Sequence, residues 1–234
     1  MAIKAIFFDA AGTLIQPIRR VGESYSLLAR PYGVEIPPSE ISTRFHSCFN
    51  SAPPLAFPDT PLSAMAERER SWWKQLVCNV FEPWGLFDGF DDYFAKLFSY
   101  FSQPNAWELY PEVLETLVSL KKRGLTLVVV SNFDSRLIGI LEGLGAGQYL
   151  EHIFVSSRMG CAKPAREIFQ AACAAHAVAA KDVIHVGDSE EKDFCGAIGA
   201  GLNAILIDRN ALVSKKAADT IRTLDAILPR VDEV

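Results

Sequence analysis

Near-continuous apolar runs recur along this chain at Ile3–Phe8, Leu125–Val130, Ile153–Val155, Val183–Val186 and Ala204–Ile207. Strands covered by helices on both faces need such continuity, whereas a half-solvated strand alternates apolar and polar. The stretches between the later runs carry helix signals. Pro111 after Tyr110 predicts a first helical position, and Ser189 before Glu190 and Glu191 predicts an N-cap with acids in the first turn. Gly124 after Lys121-Lys122-Arg123 predicts a helix end. Strand and helix alternate, which predicts an α/β fold, a doubly wound and mostly parallel sheet.

One interval breaks the alternation. From about residue 17 to 104 the pattern is helical, with no clear strand, and Thr60-Pro61 predicts an N-cap followed by a helical proline. This interval holds 16 of the chain's 25 aromatic residues, enough for a core of its own. The predicted organisation is a core domain from residues 1–16 and 105–234 with a helical domain, 17–104, inserted after the first strand. The series Phe90, Phe94, Phe98, Phe101 sits at helical spacing and reads as core of that insertion.

Composition narrows the function classes. The net charge is -5 without a long run of either sign, so the clustered Lys and Arg that nucleic-acid binding requires are missing. No run approaches the roughly 18 apolar residues of a membrane span, and the N-terminal apolar stretch is too short for a signal segment. Five cysteines (48, 78, 161, 173, 195) stand far apart with no Cys-x-x-Cys pair, which predicts reduced, mostly buried thiols in a cytoplasmic protein. The four histidines show no metal-ligand spacing, and His185 reads as a buried strand residue. A monomer or homodimer acting on a small molecule, with no nucleic acid and no membrane, is expected.

In an open α/β sheet, ligands bind beyond the carboxyl ends of the strands. Past the first run stands Asp9-Ala10-Ala11-Gly12-Thr13, past the second Ser131-Asn132, and past the fourth Gly187-Asp188-Ser189 with Asp193 beyond; Lys163-Pro164 precedes a helix predicted near Ala165. A turn, cap or surface role would explain each alone, but their joint placement on one sheet edge predicts chemistry. A carboxylate such as Asp9 can attack phosphorus or carbon to give a covalent intermediate. Asp9 and Asp188 sharing a site repel each other unless a hard cation such as Mg²⁺ sits between them. Lys163 would offset charge, and Ser131 with nearby N–H groups could hold phosphoryl oxygens.

These four segments, Phe7-Phe8-Asp9-Ala10-Ala11-Gly12-Thr13-Leu14, Val130-Ser131-Asn132, Lys163-Pro164 and Gly187-Asp188-Ser189 through Asp193, resemble the four motifs of the haloacid dehalogenase-like (HAD) superfamily. The resemblance spans the chain and implies a Rossmann-like core with a C1 helical cap. Trp72-Trp73, Ser131 through Leu137, His185 through Asp188 and Ile227-Leu228-Pro229 resemble, more narrowly, the haloacid dehalogenase-like hydrolase domain-containing protein 3 subgroup. The resemblance implies Asp9 as nucleophile and Mg²⁺ ligand, with the Ala11 carbonyl and Asp188 as further ligands. Ser131, Asn132 and Lys163 would hold the substrate's phosphoryl group, and Asp193 would support the metal's water shell or hold Lys163.

The chain departs from the family's phosphatases at position 11, where Ala11 replaces the Asp that serves as general acid and base, a loss of typically 10²–10⁴-fold in rate. Three readings follow. A phosphoryl hydrolase would act through an aspartyl-phosphate on substrates that need no leaving-group proton. A HAD-fold binding protein would have kept the cradle and lost turnover. A 2-haloacid dehalogenase would share Asp9-Ala10 but, in that family, carries Asn where this chain has the carboxylate of Asp188. The first is the leading expectation.

Overall fold

The computed structural model describes residues 2–210 and 219–232. Five parallel strands, β1 (Ala5–Phe8), β4 (Thr126–Ser131), β5 (His152–Val155), β6 (Val183–Gly187) and β7 (Asn203–Ile207), fall on the five apolar runs. A two-residue strand, β8 (Thr220–Ile221), extends the sheet to the order β5-β4-β1-β6-β7-β8. The period of two explains the layering. Ile6 and Phe8 face one apolar cluster with Leu127 and Val129, while Ala5 and Phe7 face another with Val128 and Val130. Helices α5 (Val113–Lys122) and α6 (Arg136–Gly143) close the first face, and α8 (Arg166–Ala175) closes the second. The result is the expected Rossmann-like α/β sheet. The chain runs from β1 to β4 on one side and returns to β6 on the other, so β1 and β6 flank the switch point where such sheets bind ligands.

Between β1 and α5 lies a unit the apolar pattern only partly foretold. Four helices, α1 (Val21–Ala29), α2 (Pro38–Ser51), α3 (Leu62–Phe81) and α4 (Phe90–Tyr100), enclose a third apolar cluster built on Tyr25, Val77, Phe81, Tyr93 and Phe94. A short antiparallel ribbon, β2 (Ile15–Pro17) with β3 (Trp107–Leu109), joins these helices to the sheet. Three residues a side are too few for a legible period, so the ribbon escaped the sequence pattern.

Local signals fared unevenly. Gly124 ends α5 at φ +78°, and Ser189 Oγ accepts from Lys192 N at 3.1 Å at the start of a π-helical turn, Glu190–Cys195. Pro111 lies instead in a turn ahead of α5, and α3 begins at Leu62 with no side-chain cap from Thr60. All five cysteines are free thiols, although only Cys173 is fully buried and Cys195 is exposed. Among the described residues no helix is long and apolar enough to cross a membrane.

Candidate active site

The end of β1 delivers Asp9 to the switch point, its amide bonded to the Val186 carbonyl at 2.8 Å. The next strand delivers Asp188 and Asp193. Oxygens of the three carboxylates lie within 4.8 Å of one another. Gly12, at φ +85°, packs directly against the Asp188 carboxylate, so any side chain there would collide with it. The cradle for Asp188 therefore requires glycine at position 12.

Lys163 enters from the loop ahead of α8 and is almost wholly buried. Its Nζ donates to Asp9 Oδ1 at 2.7 Å and to Asp193 Oδ1 at 2.5 Å. Burial alone would depress its pKa, but the charges of Asp193 and Asp9 more than offset this and hold it above the ordinary lysine value. The Asn132 side chain, expected to bind substrate, is turned to the main chain of Lys163. Its Nδ2 donates to the Lys163 carbonyl at 2.8 Å, and its Oδ1 accepts from the Lys163 amide at 2.7 Å. Asn132 thus fixes the lysine. Ser131 closes β4 beside β1 and is buried, but among the described residues its hydroxyl makes no hydrogen bond to Asp9, Lys163 or Asp188.

Asp193 is fully engaged. Its Oδ1 accepts from Lys163 and, at 2.9 Å, from His185 Nε2, and its Oδ2 accepts from Ser189 N at 3.0 Å. Burial would raise its pKa, yet the Lys163 charge and the His185 bond carry it well below the usual carboxylate range. His185, buried and with its own pKa pushed down by burial, is neutral at pH 7; its carboxylate acceptor selects the Nε2–H tautomer, leaving Nδ1 without a partner. Asp188 differs. It stands open to solvent at the rim and forms no ion pair among the described residues. The protein atoms around its carboxyl, then the charges of Asp9 and Asp193, push its pKa up to about 7. One lysine faces three acids, and the surplus negative charge collects on Asp9 and Asp188. Hard oxygen donors with surplus negative charge are what a divalent cation such as Mg²⁺ requires, so these residues fit one. Asp9 and Asp188 would hold it together with the Ala11 carbonyl, while Asp193 is committed to Lys163.

A second set of buried polar groups joins the helical unit to the sheet. Glu69 on α3 accepts from Ser135 N (3.0 Å), Ser135 Oγ (2.6 Å) and Ser157 Oγ (2.6 Å). Asp134 accepts from Arg136 N, Nε and NH2 and from Trp73 Nε1 of α3 at 2.5 Å. Beside this seam lies an apolar cavity of about 70 Å³ lined by Tyr25, Trp73, Phe98, Trp107 and Phe133 among others. In the sequence, Trp73 and Asp134 stand only within segments that carry the subgroup resemblance, and nothing pairs them across 61 residues. An acid on the inner face of an amphipathic helix, as Glu69 is, was the one available signal.

Comparisons with known proteins agree with this geometry. Residues 3–201 match the family model described as haloacid dehalogenase-like hydrolase. The mouse haloacid dehalogenase-like hydrolase domain-containing protein 3 is 33% identical over 99% of this chain and 95% of its own length. A HAD phosphatase from Thermococcus onnurineus superposes with TM-score 0.67 at 23% identity, covering 98% of this chain and 97% of that one. An L-2-haloacid dehalogenase from Xanthobacter autotrophicus, with chloropropionic acid covalently bound, superposes with TM-score 0.71 at 16% identity, covering 99% and 98%. The site belongs to a hydrolase of the α/β class. The chain is a member of the haloacid dehalogenase-like hydrolase family and resembles its domain-containing protein 3 subgroup.

Proposed function

We propose that the protein hydrolyses a small phosphorylated metabolite with Mg²⁺, through an aspartyl-phosphate at Asp9. The carrying observation is the charge imbalance at the switch point: Asp9 and Asp188 face each other with only Lys163 to balance three carboxylates. Bound there, the cation would supply positive charge to offset that of the phosphoryl oxygens. Lys163 holds one oxygen of Asp9 and so sets the rotation of the carboxylate. The other oxygen attacks phosphorus, the bond from phosphorus to the leaving oxygen breaks, and that oxygen leaves with the electron pair. Ser131 and main-chain N–H groups steady the transferring group. Water then attacks the aspartyl-phosphate, releasing phosphate and restoring Asp9.

Ala11 shapes the substrate range. Its methyl can neither protonate a departing alkoxide nor activate water, so the preferred leaving group is one stable as an anion, such as the carboxylate of an acyl phosphate. In this reading residues 1–16 and 105–234 act as the catalytic body, and residues 17–104 as a cap that shuts water out, joined by the ribbon of β2 and β3. The separate apolar cluster of the four helices supports that division. The setting is cytoplasmic, in keeping with five free thiols.

A substrate panel tests this. Acetyl phosphate, p-nitrophenyl phosphate, alkyl phosphomonoesters and 2-chloropropionate would each be offered with and without Mg²⁺. Turnover confined to the first two and dependent on Mg²⁺ is expected, with Ala11→Asp extending it to alkyl esters. Metal-independent chloride release would make the protein a dehalogenase, and a folded, metal-bound protein that turns over nothing would make it a binder.

A further inference from the structure

We infer that Arg209 is a positioning residue of the cation site: it locks the loop that follows the nucleophile so that the Ala11 carbonyl is held ready for the metal. The inference rests on the reading of Asp9, Ala11 and Asp188 as that site. Arg209 stands two residues past the end of β7, on the same carboxyl edge of the sheet as Asp9, and its side chain is 10% exposed. Its Nε donates to the Gly12 carbonyl at 3.2 Å, its NH2 to the Thr13 carbonyl at 2.6 Å, and its NH1 to Glu112 Oε1 at 2.8 Å. The guanidinium carbon also lies over the Tyr110 ring, 3.5 Å from its centre.

The peptide planes show what this does. In a trans peptide the carbonyl and the following N–H point in opposite directions. Gly12 N–H donates to the Ile15 carbonyl at 2.8 Å, so the Ala11 carbonyl in the same plane points away from Ile15. Arg209 takes the next two carbonyls, those of Gly12 and Thr13, and so fixes the two planes that follow. Three successive planes are set, and Gly12 is kept against Asp188. The anchor at the far end is equally firm. Glu112 also accepts from Leu224 N at 3.0 Å, and Tyr110 N donates to the Leu14 carbonyl at 3.1 Å, so Arg209 staples the nucleophile loop to the root of the ribbon that carries the four helices. One fork serves two carbonyls and a carboxylate at once, which lysine, a single ammonium, could not do.

Metal affinity reads this out without turnover. Free Mn²⁺ would be followed by electron paramagnetic resonance while it is titrated into the wild-type chain, R209M, R209K and R222M, with Mg²⁺ as competitor. Groups that orient metal ligands typically contribute 10–100-fold to affinity. R209M is expected to weaken Mn²⁺ binding by about that factor, and R209K, which keeps the charge but loses the planar fork, by less. R222M removes one partner of Asp208 nearby without touching the loop and should bind as wild type does. If R209M unfolds by far-ultraviolet circular dichroism, R209K decides. Wild-type binding with R209M or R209K unchanged would overturn this inference alone, as would equal losses in R209M and R222M. A wild-type chain that binds no Mn²⁺ would overturn the cation site itself and this inference with it.

Discussion

Two sets of acids, both gathered around the residues that follow β4 and β6, behave in opposite ways. At the seam, Glu69 and Asp134 are each surrounded by donors, three hydrogen bonds on the first and four on the second. At the switch point, Asp193 is equally satisfied, but Asp9 and Asp188 carry negative charge that Lys163 alone does not balance. A satisfied acid holds two elements together. Surplus like charge held close together destabilises the fold by itself, and its presence points to a ligand of opposite charge. The seam is accordingly a latch between the four helices and the sheet, and the switch point is the place where the proposed function puts a cation.

Substitutions should separate the two sets. The largest effect falls on turnover. Asp9→Asn removes the nucleophile and is expected to lower kcat for acetyl phosphate by at least about 10⁴-fold, the scale seen when an attacking group is lost. The protein should stay folded, since one source of repulsion goes with it. Stability measurements give the next effect, with opposite signs in the two regions. Glu69→Ala leaves the Ser135 amide and two hydroxyls buried without an acceptor, which costs about 2–3 kcal/mol and lowers Tm by roughly 5–10 °C. Asp188→Asn should raise the Tm of the chelator-treated protein, because it removes charge that Lys163 alone does not balance. A fall in Tm for Asp188→Asn, in step with Glu69→Ala, would erase the distinction between latch and cation site.

The smallest effect is a pH dependence, reduced by the solvent open to Asp188. Between about pH 4 and 7 the folded chain keeps a proton on Asp188 that the unfolded chain has already released. The folded state therefore binds more protons in that window, and raising pH through it removes stability from the metal-free protein. Wild type should lose Tm relative to Asp188→Asn from pH 4 to 7, and added Mg²⁺ should restore more at pH 8 than at pH 5. Parallel Tm profiles for the two proteins would contradict the assignment.

The same contrast explains what could be read in advance. The five buried strands and the residues just beyond them were legible because continuous apolar runs and sheet topology place strand ends on one edge: Asp9, Ser131 and Asp188 follow from that rule. Lys163 and Asp193 were recognisable as motif residues, but the hydrogen bonds that tie Lys163 to Asp9 and Asp193, and Asp193 to His185, are formed between residues 8 to 154 positions apart. Asn132 was expected to bind substrate; the bonds its side chain makes to the Lys163 main chain are set by backbone geometry that the sequence does not display. The latch was illegible for the same reason: Glu69 and Trp73 look like ordinary positions on an amphipathic helix until α3 docks against Ser135 and Asp134. Arg209 had a faint signal, a basic residue just past a strand end, and its fork is defined only once the nucleophile loop folds beneath it.

Isothermal titration of Mg²⁺ into chelator-treated protein at pH 8 bears most directly on the switch-point carboxylates as a cation site. The account predicts one saturable site in the wild-type chain and in Glu69→Ala, and its loss in Asp188→Asn. No heat of binding in the wild type, or undiminished binding in Asp188→Asn, would contradict it.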